Sequence, residues 1–571
     1  MVALLCVACR KEGSAAGRAV PTNSASAPAS AAAGTPPPEV DAAARARFDS
    51  LANVLLDRFL ADDPGWARSL GLHAYDGKVP ALDEASLKEA RAGLVHAREE
   101  LAASPVSVLD PDGALDHALL SAHVEQELFQ LDEIDVFHKR PAAYDALFGV
   151  DSYLTRNYAP LAERLASLVA HEEAALRQVP SIRQNLALPL SRPVVETAIK
   201  IFSGRAEYLT KDVPKQAGSF DDPVLQKRFL AANTALAKEA RALADWLKRD
   251  VLPHADDSHV LGPERYAKLL WAQEGLRTPL AELRAMADAD LARNKQAYAA
   301  LPKGAVRSRP APDKLLAEAT KLMEEAHLFV VEKKIVSLAD EERATVKETP
   351  PFMRWNSAFL DGPGVFEQAS GGFYYITLPD PAWPAKEQKE YVPLSGSLLS
   401  TTVHEVYPGH FVQGRWERRA PTRTQKMLGS YSFTEGWAHY VEQMMVEEGF
   451  SPSVETSFGQ LEDALLRNCR FVVSLGIHTD GMTSKEAERR FREDCYQDAA
   501  TARQQAARGA FDPGYFAYTL GKIQILELRE QVKRKLGPSF SLRAFHDALL
   551  AHGSPPVPLL APRVRRDLHA E

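Results

Sequence analysis

The sequence predicts a mainly α protein with one small β-sheet, and three observations carry that prediction. From about Val40 onward, apolar residues recur at spacings of three and four, the period of helices buried on one face. Proline interrupts the pattern at intervals and divides it into a succession of helices. A single aromatic and β-branched run, from Gly371 to Pro379, breaks the helical rule.

The helical period is clear over Ala44 to Leu60, Leu161 to Val179, Leu225 to Leu252, Pro279 to Leu301 and Asp313 to Lys334. Pro64, Pro80, Pro105, Pro141, Pro189, Pro214 and Pro253 are the expected boundaries. Gly371-Gly372 and Pro379 bound the strand residues Phe373-Tyr374-Tyr375-Ile376-Thr377-Leu378. Helices then resume, one leading into His404, one from about Phe433 to Glu448, and several more as far as Leu550. No repeat of fixed period occurs, which argues against a regular solenoid.

With 571 residues the chain can form one large domain or several ordinary ones. A net charge of -8 leaves no basic footprint and argues against nucleic acid as a partner. No run approaches the roughly 18 apolar residues of a membrane-spanning helix. Residues 1–9 form a short apolar stretch ending in Cys9, which reads as part of a lipoprotein-type signal with Cys9 as the lipidated residue. A longer N-terminus would supply the basic segment such signals carry. Residues 10–40 are rich in Ala, Ser and Pro and read as a disordered tether. The expected organisation is completed by one helical domain over 41–562, with two lobes around a cleft, and a tail over 563–571. Cys469 and Cys495 are too few and too far apart for a cysteine metal site. They read first as structural thiols, and the sequence leaves their pairing open.

The chemistry concentrates in His404-Glu405-Val406-Tyr407-Pro408-Gly409-His410. In the zinc pattern H-E-x-x-H, two histidines four residues apart share a helical face, and the Glu between them serves as general base. Here the second histidine is six residues on, and at about 100° per residue it falls some 240° round a regular helix. Pro408-Gly409 is suited to opening the helix, so a bulge there is expected to return His410 to the His404 face. Catalytic zinc usually takes three protein ligands. Glu435, in Thr434-Glu435-Gly436-Trp437-Ala438-His439-Tyr440, is the best third, with Gly436 leaving room beside it and His439 as rival. Ser432-x-x-Glu435 also fits a capping box, in which Glu435 would merely reach back to the Ser432 amide.

H-E-x-x-P-G-H followed by E-G-W-A-x-Y resembles the bacterial family called domain of unknown function 885. The likeness extends over roughly residues 45 to 562, through Pro64-Gly65-Trp66, Ala159-Pro160-Leu161-Ala162-Glu163-Arg164 and Tyr518-Thr519-Leu520-Gly521-Lys522. Gln505, Tyr515, Ser474 and Met482 depart from its pattern, and none of them is a ligand candidate. The resemblance implies a large multi-helix fold similar to gluzincin-type metallopeptidases, with a small sheet beside the metal-site helix and a deep cleft. It implies one Zn2+ on His404, His410 and Glu435, with Glu405 as general base. Tyr518 and His478 are the expected donors to a developing oxyanion. Arg467, Arg470, Arg508 and Arg529 are candidates for a substrate carboxylate. The strand Phe373 to Leu378 is expected to pair with an extended peptide or to form a hairpin.

The expected function is therefore zinc-dependent hydrolysis of peptide bonds, by a protein outside the cytoplasm that meets the membrane only through a lipid anchor at Cys9. A zinc amidase acting on a non-peptide or cell-wall substrate, and a peptide-binding lipoprotein on a peptidase-like scaffold, are the alternatives.

Overall fold

A computed structural model describes residues 41–350, 353–354, 356–368 and 371–571. The expected signal at 1–9 and tether at 10–40 lie outside the described residues. From Asp41 onward helix follows helix, and aspartate starts many of them. Asp41, Asp83, Asp110 and Asp222 each accept hydrogen bonds from amides of the first turn that have no partner within the helix. The five periodic segments are helical: Ala42–Asp62, Leu161–Asn185, Pro223–Trp246 with a wider turn after it, Leu280–Ala300 and Leu315–Glu332. Pro64 opens a helix as expected. Pro214 does not end one, because the helix Arg192–Ala217 runs on past it to Gly218 at φ 65°.

The apolar core falls into two large clusters and two smaller ones. The largest joins the first helix to the sheet and to the segments around His404 and Trp437, and runs on to Ala570. The second is built from residues between Leu82 and Val251. Glu172 is fully buried on the helix Leu161–Asn185, and neither of its carboxylate oxygens has a hydrogen-bond partner. Burial, with the charge of Glu173 adding to it, pushes its carboxyl up to about 9.

The sheet has three strands, β1 (Ala344–Glu348), β2 (Ala358–Asp361) and β3 (Gly372–Ile376), in the order β1-β3-β2. β3 pairs parallel with β1 and antiparallel with β2, Leu360 lying opposite Tyr374. This corrects the expectation that β3 itself meets a peptide: both its edges are already paired. β1 and β2 hold the two edges.

Four helices frame the site, and we name each by a residue it carries: the His404 helix (Ser395–Glu405), the Glu435 helix (Tyr431–Glu447), the Arg467 helix (Val454–Thr479) and the Tyr518 helix (Ala517–Leu536). Two glycine crossings bring them together. A Cβ on Gly436 would lie 2.5 Å from the Cα of Gly521, and one on Gly396 or Gly459 would strike the facing backbone of the other helix. Gly436 therefore makes room for the Tyr518 helix, not for Glu435. Cys469 and Cys495 are joined in a disulfide, which ties the Arg467 helix to the chain just beyond the helix Ser484–Glu493. The reading of these two as thiols is overturned, since the fold brings together residues 26 apart in sequence.

Gly436→Ala is expected to destabilise the protein by at least about 1–3 kcal/mol through overpacking, whereas Gly414→Ala, which meets nothing within 4 Å, is expected to be neutral or slightly stabilising. Thermal melts of the two variants side by side test this, and an unchanged midpoint for Gly436→Ala would contradict it. A carboxyl neutral when folded and ionised when unfolded loses stability as pH rises from its unfolded value near 4.5 towards about 9. Glu172→Gln is therefore expected to gain on the wild type between pH 5 and pH 8, measured as the difference in melting temperature.

Candidate metal centre

The His404 helix stops at Glu405, and a new helix, His410–Glu417, begins at the second histidine. The chain does not bulge within one helix, as the spacing suggested; it breaks and restarts. Pro408, after a cis bond from Tyr407, has no N–H to continue the ladder. The Gly409 N–H turns back to the Val403 carbonyl at 3.1 Å, so close to the His404 backbone that a Cβ would collide with it. Trp437 pins the turn by donating its indole N–H to the Pro408 carbonyl at 3.0 Å. The His404 and His410 rings end with centroids 4.7 Å apart.

Glu435 comes from the next helix. The capping-box alternative does not form, because Ser430 is the N-cap and its Oγ accepts from the Phe433 N–H at 3.2 Å. Ser430 and Ser432 both donate to the buried Glu274. Glu435 Oε2 lies 3.4 Å from His404 Nε2 and 3.7 Å from His410 Nε2. One ligand atom from each of the three residues falls within 4.8 Å of the other two. His439 stays outside this group, with its Nδ1 on Glu442 at 3.2 Å.

The surroundings orient the triad. His404 Nδ1 meets Glu442 Oε1 at 2.6 Å, which leaves Nε2 facing Glu435. Arg467 pairs with the same Glu442 oxygen at 2.9 Å. Burial works against a charged His404, but the Glu435 and Glu442 carboxylates outweigh it and raise its pKa to about 10. Burial likewise opposes the charge on Glu435, and His404, His410 and Arg467 together hold its carboxyl down at about 2. Glu442 is held well below the usual range despite its burial, by Arg467 first and the two histidines next. Glu405 is buried beside His404, and its Oε2 accepts the Leu360 N–H of edge strand β2 at 3.0 Å.

Does this donor set suit a metal ion? Among the described residues, the buried Glu435 Oε2 has no hydrogen-bond partner, although two imidazole nitrogens converge on it. A buried acceptor left without a donor is costly. Two imidazoles and a carboxylate are the donors of a three-ligand zinc site, and a second carboxylate behind one imidazole is its usual support. The residues fit the ion.

Of the two expected oxyanion donors, the fold brings one to the site. Tyr518 is buried, and its hydroxyl accepts from Tyr431, one turn before Glu435, at 2.8 Å. His478 is placed elsewhere. It stands eleven residues beyond Arg467 on the same helix, roughly 16 Å along its axis, and its Nε2 meets the Gly509 carbonyl at 2.8 Å. Sequence reasoning missed Glu442 and Tyr431. The spacing held a clue to both, since residues four before and seven after Glu435 share its helical face.

The chain belongs to the family described as bacterial protein of unknown function (DUF885), matched over residues 64–564. Among solved structures it is similar to a candidate lipoprotein of unknown function from Shewanella oneidensis, at 24% identity and TM-score 0.75, covering 90% of this chain and 99% of that one. A candidate lipoprotein from Colwellia psychrerythraea is similar at 17% identity and TM-score 0.75, covering 92% and 100%. An M32 carboxypeptidase from Deinococcus radiodurans R1 aligns over 92% and 95% at 14% identity, with a TM-score of only 0.38, too loose to bear on this chain. No curated protein matches it. Among the described residues no helix is long and apolar enough to cross a membrane.

Glu442→Gln is expected to weaken metal binding by about 10–100-fold, measured by competition with a zinc chelator. Unchanged affinity would mean that Glu442 does not orient His404.

Proposed function

We propose that this protein is a zinc-dependent hydrolase of peptide bonds. The observation that carries the reading is the convergence of His404, His410 and the orphaned Glu435 oxygen beside the buried Glu405. His404, His410 and Glu435 would hold the ion. When bound, zinc supplies Lewis acidity that lowers the pKa of a water towards about 7 and polarises a carbonyl.

Glu405 is the general base. It takes the proton of the attacking water and returns it to the leaving amine. The Leu360 N–H on Oε2 fixes the orientation of the carboxylate and leaves its other oxygen for that proton. Tyr431 and Tyr518 form a hydroxyl pair from which a donor to the developing oxyanion is drawn. Burial, with Tyr518 and Glu435 adding to it, raises the Tyr431 pKa well above its ordinary value and keeps the phenol protonated. The edge position of β2 suits an extended peptide lying beside Glu405.

We also propose an extracytoplasmic location with a lipid anchor at Cys9. The Cys469–Cys495 disulfide supports an oxidising compartment, and the relatives described as candidate lipoproteins accord with it.

Purified protein is expected to hold about one zinc per chain and to cleave members of a mixed peptide library. Glu405→Gln should keep the metal and lose about 10²–10⁴-fold in kcat. Absence of metal in carefully prepared protein would sink the reading, and metal without cleavage of any peptide would favour a non-peptide amide substrate or a binding role.

A further inference from the structure

Beside the triad lies a group of guanidinium and phenol side chains to which the proposed chemistry gives no contact with substrate beyond the tyrosine pair. Arg467 and Arg470, three residues apart, share one face of the Arg467 helix. Arg508 joins them from the helix Ala499–Phe511. The three guanidinium carbons lie 5.7, 4.7 and 6.0 Å from the centre of the Tyr518 ring. The group abuts the triad on two sides. Arg467 Nη2 is 3.3 Å from His404 Nδ1, and Arg508 donates to the Tyr431 hydroxyl at 3.3 Å.

Arg467 has the Glu442 carboxylate at 2.9 Å, and Arg508 has Asp512 at 3.1 Å. Arg470 differs from both. It is only 2% exposed, and its Nε donates to the neutral side-chain oxygen of Gln505 at 3.0 Å. No carboxylate lies within ion-pair distance of it among the described residues. Its terminal nitrogens make no hydrogen bond there either. A buried guanidinium is strongly unfavourable until an anion compensates it. A carboxylate does so with two parallel hydrogen bonds.

We infer that this group is a subsite for the α-carboxylate at a peptide's C-terminus, with Arg470 as the residue that binds it and Arg508 and Tyr431 alongside. The inference rests on the hydrolase reading and deepens it to release of single residues from the C-terminal end. Position favours a substrate carboxylate. Arg470 stands one turn along the same helix face from Arg467, which supports His404 through Glu442, so an anion held by Arg470 lies beside the triad.

The test uses short peptides of mixed sequence, each prepared as the free acid and as the C-terminal amide, with and without an internal Asp or Glu. The wild type is expected to cleave the last bond of the free acids and to lose at least about thirtyfold in kcat/KM on the amides. Arg470→Gln should lose that preference mainly through KM, and Arg470→Lys should keep part of it. The wild-type comparison of acid with amide stands even if a variant at this buried position fails to fold. Equal cleavage of acids and amides overturns the proposal, as does cleavage of amides directed by an internal acidic residue. Calorimetric binding of the same peptides to Glu405→Gln separates this inference from the reading beneath it. Preference for the acid without turnover by the wild type would sink the hydrolase reading and leave the subsite. Turnover without any preference would do the reverse, and neither turnover nor preference overturns both.

Discussion

The site depends on how closely helix backbones approach one another. The two imidazoles come from segments that meet at Pro408-Gly409, but the third donor, the Glu435 carboxylate, arrives on a separate helix. Gly396 and Gly459 set the His404 helix against the Arg467 helix, and Gly436 and Gly521 set the Glu435 helix against the Tyr518 helix. Larger side chains at these crossings would push the axes apart. Glu435 would then move away from the histidines, and Glu442 and Arg467 away from the ring they support. Ligand atoms gathered within 4.8 Å leave little tolerance for such a shift.

Within that frame the charges are arranged in chains. Glu442 stands between His404, His439 and Arg467, while Lys522 and Asp290 form a further buried pair at 2.7 Å. Groups this deep must be paired, because removing one partner strands the other in a medium that solvates it poorly. The exceptions are therefore informative. Among the described residues Glu435 Oε2 lacks a hydrogen-bond donor and Arg470 lacks a carboxylate, and these are the positions at which we propose a metal ion and a substrate. Glu172 is also without a partner, but it lies in the second core, far in sequence from any candidate ligand.

Much of the fold was legible because helix formation is local. The spacing of apolar residues marked Leu280–Ala300 almost to the residue and the start of Leu161–Asn185, though not its last turns beyond Val179, and Gly-Gly and Pro marked β3. Pro214 misled, since a proline close to a helix end can be accommodated before the helix stops at Gly218. The convergence of His404, His410 and Glu435 could be anticipated because residue type and spacing mark candidate donors. His478 could not be judged, for nothing in its neighbours reveals that it lies about three turns beyond Arg467 and against Gly509. Glu442 and Tyr431 share the face of Glu435, yet a shared face becomes a site only when another helix packs on it.

The sequence by itself determined the helical class, the strand, and the donor groups His404, His410 and Glu435 of the candidate metal centre, because periodicity and donor chemistry belong to short stretches of chain. Tertiary structure decided how the two histidines meet, through a broken helix held by Gly409 and Trp437. It also decided that β3 lies at the centre of its sheet, that Cys469 and Cys495 join, and that Arg470 is buried with no anion beside it. Each of these depends on which distant segments touch, and a distance through space is not written in any local run of residues.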